Sequence, residues 1–137
     1  MGVRTSVEIG IQVGMEASLD DTVFSRDVSE LLDTLDHAVV QVITLAGGEA
    51  NYQVAFGDVT QPRTLYIEAE GDVDVKLWGS GGQAIEVRRP IDPAASGAED
   101  VLAYLLMTGT FTSLHLTNDD ATNSARVRVL IVGDLVT

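Results

Sequence analysis

Cysteine is absent from the chain, which excludes a disulfide framework, a thiolate metal site and a cysteine nucleophile. Lysine is nearly absent. Lys76 is the one lysine among eight basic residues, against 21 Asp and Glu, and the formal charge is −13. A chain this acidic repels phosphate backbones, so nucleic acid is not an expected partner. Aromatic residues make up only 5% of the sequence, and proline occurs three times. No stretch reaches the ~18 consecutive apolar residues of a membrane helix. Met1 to Val13 lack the long apolar run of a secretory signal, so neither a membrane nor a cleaved leader is expected. Also missing are a nucleophile elbow, a glycine-rich phosphate loop, a zincin motif and calcium-loop spacing. The Gly79-Ser80-Gly81-Gly82 turn has no lysine and no following helix, so it is not read as a phosphate cradle. No cofactor is expected.

What remains is rich in strand formers. The chain is 45% hydrophobic, too much for a disordered acidic polymer. Its 137 residues suit one domain, which at this size buries roughly 68% of the surface exposed on unfolding. Val, Ile and Thr supply 18, 7 and 12 residues, the types that suit a pleated, half-buried surface. Val3, Thr5, Val7, Ile9, Ile11 and Val13 alternate with polar residues or glycine, which predicts a strand with one wet face. Val28, Leu31, Leu32 and Leu35 fall at helical spacing, and a short helix over Asp27–Leu35 competes with an irregular crossing. His37 to Leu45 is apolar on both parities, as expected of a central strand covered on both sides. Tyr52, Val54 and Phe56 alternate, as do Leu65, Ile67 and Ala69, and after Glu70-Gly71-Asp72 so do Val73, Val75 and Leu77. Facing Ala69 with Val73 makes this last pair a hairpin with a three-residue loop. Glu99 to Met107 has room for one helical turn. Leu114 and Leu116 face Val127 and Val129 across a polar turn.

The resulting expectation is an all-β, antiparallel sandwich or jelly-roll-like fold of about eight or nine strands, with at most one or two short helical turns. Residues 1–20 form an N-terminal strand able to serve as an inter-subunit arm. Residues 21–137 form the sandwich, in a single domain overall.

The reactive inventory is thin. His37 and His115 read as surface histidines, and pairing Leu116 with Val127 sets His115 opposite Arg128. The proposed hairpin puts Glu68 opposite Asp74, with Glu70 and Asp72 at its tip. Like charges across a ladder are unfavourable, so Glu68, Asp72 and Asp74 are weak candidates for a cation site, beside solvated acid and subunit contact. Abundant carboxylates make no single pair stand out for hydrolysis. The same hairpin points Tyr66 and Trp78 away from the core, where exposed aromatics anchor protein interfaces or stack on sugars. Arg126 and Arg128 share one face of the last strand, and Arg88 and Arg89 are adjacent. Four arginines in an acidic chain are expected to pair with its own carboxylates or with a neighbouring subunit.

One resemblance extends over about residues 37 to 133. Thr64-Leu65-Tyr66-Ile67-Glu68-Ala69-Glu70-Gly71-Asp72-Val73-Asp74-Val75-Lys76-Leu77 is followed by Thr112-Ser113-Leu114-His115-Leu116-Thr117-Asn118. The pattern closes with Ala125-Arg126-Val127-Arg128-Val129-Leu130-Ile131-Val132-Gly133. This order resembles the small β-sandwich virion proteins of tailed bacteriophages. The resemblance implies a non-enzymatic virion component: a capsid decoration or cement protein, or a tail or adsorption-apparatus component. Its partners would be further copies of itself, such as a trimer, and the major capsid or tail proteins. It carries no catalytic, cofactor or metal residue. Interface candidates are Val3, Val7, Ile9 and Ile11 of the first strand, with Tyr66, Trp78, Arg126 and Arg128. A carbohydrate-binding jelly roll using Trp78 and Tyr66 is the competing function, although one Trp and three Tyr offer few stacking platforms.

Overall fold

The computed structural model describes residues 6–15, 18–31, 37–92, 94–97 and 100–134. The chain divides into two compact units, Met1–Asp36 and His37–Thr137.

In the first unit, β1 (Ser6–Met15) and β2 (Ser18–Leu31) pair antiparallel as a two-stranded ribbon. The alternating first segment is thus a strand, and its partner lies within its own unit. The register sets Val7 against Glu30, Ile9 against Val28, Ile11 against Arg26 and Val13 against Phe24. Neither a helix nor an irregular crossing begins at Asp27, because β2 runs through that position to Leu31. The helical spacing of a few leucines is a weak preference, and a ladder partner overrides it. Residues 32–36 and Val3 lie outside the described residues.

The second unit holds eight strands: β3 (His37–Leu45), β4 (Tyr52–Gln53), β5 (Gln61–Ala69), β6 (Val73–Lys76), β7 (Ile85–Val87), β8 (Ala103–Thr108), β9 (His115–Asn118) and β10 (Ala125–Asp134). They form two four-stranded antiparallel sheets, in the orders β3-β10-β5-β8 and β4-β9-β6-β7. Apart from β6–β7, each connection passes from one sheet to the other. This is the jelly-roll arrangement of an all-β sandwich.

The inner faces meet in one core. Ile43, Val127, Val129, Ile131, Leu65, Ile67 and Ala69 of the first sheet pack against Val73, Val75, Leu77, Leu114 and Leu116 of the second, all buried. Phe56 and Phe111 close one end edge-to-face, with ring centroids 5.6 Å apart.

Three sequence expectations fail on pairing. β5 and β6 do not form a hairpin, since they belong to opposite sheets. The Glu70 N–H extends the β5 ladder by donating to the Arg126 carbonyl at 2.8 Å. Two residues later the Asp72 carbonyl accepts from the Asp119 N–H at 3.0 Å, beside β9. Gly71 is therefore the point of transfer between sheets. Both strands keep their core parity, because an arch over a sandwich and a hairpin within a sheet preserve it equally. Likewise β9 pairs with β4 and β6 rather than β10, which sets His115 beside Lys76 and Gln53 instead of Arg128. β3 is an edge strand rather than a central one: its outward residues Val40 and Val42 are 66% and 51% exposed. Of Glu99 to Met107, where one helical turn was expected, Ala103 onward belongs to β8 (Ala103–Thr108). Asp100 closes a tight turn by donating to the Gly97 carbonyl at 3.1 Å, and Glu99 lies outside the described residues.

Candidate functional site

Two arginines offset part of the negative charge at the acidic loop end. Asp74 and Glu86 are cross-strand neighbours on the outward parity of β6 and β7, and Arg88 lies beside both. Its guanidinium reaches Asp74 at 2.8 Å, Asp119 at 3.6 Å and Glu86 at 3.7 Å, and also donates to the Val73 carbonyl. Burial works against its charge, but the three carboxylates outweigh burial and raise its pKa. Asp72 accepts from the Arg89 backbone N–H at 2.9 Å and pairs with its side chain at 3.4 Å. Asp120 shapes the β9–β10 turn, accepting from the N–H groups of Thr122 and Asn123 and from the Asn123 amide. Those bonds hold its carboxyl at about 2. A polar hollow of about 590 Å³ lies here, lined by Glu70, Asp72, Arg89, Asn118, Asp119 and Asp120 among others.

The three proposed cation ligands do not converge. Asp72 and Asp74 are committed to Arg89 and Arg88, whereas Glu68 lies on the outer face of the other sheet. There it accepts from the Tyr66 hydroxyl at 3.0 Å and pairs with Arg128 at 3.5 Å. Among the described residues, no group of three or more His, Asp or Glu is placed to hold a metal ion. The expectation that arginines meet the chain's own carboxylates holds for Arg88, Arg89 and Arg128. Arg126 is exposed on the same strand as Arg128.

Tyr66 and Trp78 are likewise separated. Tyr66 is half-buried on the outer face of β3-β10-β5-β8, where burial foremost, then its bond to Glu68, pushes the phenol up to about 12. Trp78 follows β6 in the opposite sheet and is 58% exposed. Tyr66 and Trp78 therefore do not make one stacking platform; the exposed aromatic that shares the outer face of Tyr66 is Tyr104. The outer face near Trp78 is polar: the Lys76 ammonium donates to the Asn51 side chain and the Ser80 carbonyl. His115 lies beside Lys76 with its Nδ1 buried and, among the described residues, without a hydrogen-bond partner.

The apolar surface lies on the other side of the sandwich. Cross-strand register places Val40, Leu130, Tyr66 and Leu106 in one row over four strands, and Val42, Arg128, Glu68 and Tyr104 in the next. Val40, Val42, Tyr104 and Leu106 are exposed. Of the interface candidates, Tyr66, Arg126 and Arg128 share this face, whereas Trp78 is opposite. Val7, Ile9 and Ile11 occupy one parity of β1 in the other unit. Sequence reasoning missed the aliphatic residues of the patch because it read β3 as covered on both sides and assigned no strand to the segment before Met107. The alternation of Tyr104 and Leu106 with Ala103, Leu105 and Met107 was the available signal.

No family model matches the chain, and neither a curated protein nor a solved structure matches it.

Proposed function

We propose that this chain is a non-enzymatic structural component of a tailed-phage virion, of the capsid decoration or cement kind, acting by self-association and by docking on the particle lattice. The observation that carries the reading is the outer face of β3-β10-β5-β8, where one cross-strand row, Val40, Leu130, Tyr66 and Leu106, runs apolar over all four strands. Exposed Val42 and Tyr104 stand at the two ends of the next row, on either side of the Arg128–Glu68 pair. Contiguous apolar surface framed by polar residues marks contact with another macromolecule. The residue order that resembles phage virion sandwiches supports the setting, although its hairpin over residues 65–77 is an arch between sheets here, and jelly rolls are common in virus capsid proteins. They are also common in lectins, but the separation of Tyr66 from Trp78 removes the paired aromatic platform of the carbohydrate alternative. A place in the tail or adsorption apparatus uses the same adhesive logic.

The test is negative-stain imaging of purified particles assembled with and without this protein. Decoration or cement predicts regularly spaced density on the head that disappears without it. Density confined to the tail transfers the assignment there. Particles of unchanged appearance and composition overturn the proposal.

A further inference from the structure

We infer that β3 is a self-association edge, through which two copies pair antiparallel about a two-fold axis to merge their four-stranded sheets into one of eight. The inference deepens the self-association part of the proposed function and rests on it for its biological setting.

A sheet edge exposes unpaired N–H and C=O groups, and proteins blunt such edges by shortness, charge, proline, bulges or cover. The sandwich has four edges, and two are blunted by shortness: β4 has two residues and β7 has three. Of the two longer edges, β8 has six residues. β3 has nine residues, His-Ala-Val-Val-Gln-Val-Ile-Thr-Leu, with no lysine, arginine, carboxylate or proline. It pairs with β10 without a bulge. Among the described residues no backbone hydrogen bond reaches its free side.

Charge and register both select a second copy as occupant. Two chains of charge −13 can meet closely only where carboxylates are missing. β3 and residues 125–133 of its neighbour β10 contain no Asp or Glu, although the chain has 21. A two-fold centred on Gln41 sets Val40 opposite Val42 of the second copy and Val39 opposite Ile43. Directly opposed residues point to one face of a sheet, so this register joins outer valine to outer valine and core residue to core residue. The Gln41 side chain is tied to the Ala55 carbonyl, which fixes the strand at the proposed centre.

The contact is small. Nine residues at ~3.4 Å each, by a sheet about 10 Å thick, offer roughly 300 Å² per copy. A standard stable interface covers about 800 Å² per partner. A weak, concentration-dependent dimer in the micromolar-to-millimolar range follows.

Sedimentation velocity of the full chain from about 1 µM to about 1 mM tests the inference. The wild type should pass from monomer to dimer. Val40→Lys with Val42→Lys places like charges directly across the proposed contact, and should raise the dissociation constant at least ~10-fold. Circular dichroism should not change, because both positions are exposed. Mixing that variant with a Val40→Glu, Val42→Glu variant should restore a heterodimer. A wild type that stays monomeric overturns the inference, as does a lysine variant that dimerises normally. Dimerisation abolished instead by Tyr104→Lys with Leu106→Lys assigns the contact to the opposite edge and also overturns it. A chain that dimerises through β3 but is missing from purified particles refutes virion membership and leaves the edge pairing intact.

Discussion

Asn118 offers the sharpest test of how the sandwich is held at its acidic end. It is 3% exposed and ends β9. Its amide donates to the carbonyls of Ala46 at 3.0 Å and Asn123 at 2.8 Å, and its side-chain oxygen accepts from the Asp120 N–H at 3.0 Å. One side chain thus ties the loop after β3 to the turn before β10. A net hydrogen bond is worth about 0.5–1.5 kcal/mol, and stranding a buried partner costs more. Ala46, Asp120 and Asn123 lie on exposed loops, where water can re-satisfy part of the loss. Asn118→Ala should therefore cost about 2–3 kcal/mol, or roughly 10–20 °C in Tm for a unit near 100 residues. Asn118→Asp should cost at least as much at pH 7, because it turns a donor into an acceptor facing two carbonyl oxygens. Chemical denaturation followed by Trp78, the chain's only tryptophan and a residue of the sandwich unit, reads the change. A loss below about 0.5 kcal/mol for Asn118→Ala, within the range of an ordinary surface substitution, would show that the backbone ladders hold these loops unaided and would refute the argument.

Three further outcomes are expected. Asp120 has a folded pKa of about 2, below an unfolded carboxylate near ~3.9. Its contribution is present above the unfolded value and is lost as pH falls through the folded one. The Tm difference between wild type and Asp120→Ala should therefore shrink between about pH 4 and pH 2, as calorimetry can show. Tyr66 is shifted the other way, to about 12, so its contribution is complete below the unfolded value of ~10 and disappears as pH rises through 12. Spectrophotometric titration should show one late phenol that is absent from Tyr66→Phe, and that variant should lose less stability over this window. Trp78→Ala, at a 58% exposed site, should change stability by less than about 1 kcal/mol. Glycan-array binding by the wild type that this variant abolishes would revive the sugar-binding alternative.

Fold class and strand parity were legible in the amino-acid pattern. Period-2 alternation assigned Leu65, Ile67, Val73, Val75, Leu116 and Val127 to the core, and each is buried. That inference needs only local geometry, because successive side chains of a strand point to opposite faces whatever lies beside it. The lack of proline and charge in β3 was equally legible, although its meaning was not. Which strands are neighbours was settled in three dimensions. Alternation on both sides of Glu70-Gly71-Asp72 suits a hairpin and a crossing arch alike, and the choice depends on distant strands, β10 beside β5 and β9 beside β6. The site followed from those pairings: the arch parts Tyr66 from Trp78 and Glu68 from Asp74, and the insertion of β10 between β3 and β5 leaves β3 at an edge. Alternation records what each strand buries, whereas pairing is settled by the non-local competition of all strands for a limited set of ladders.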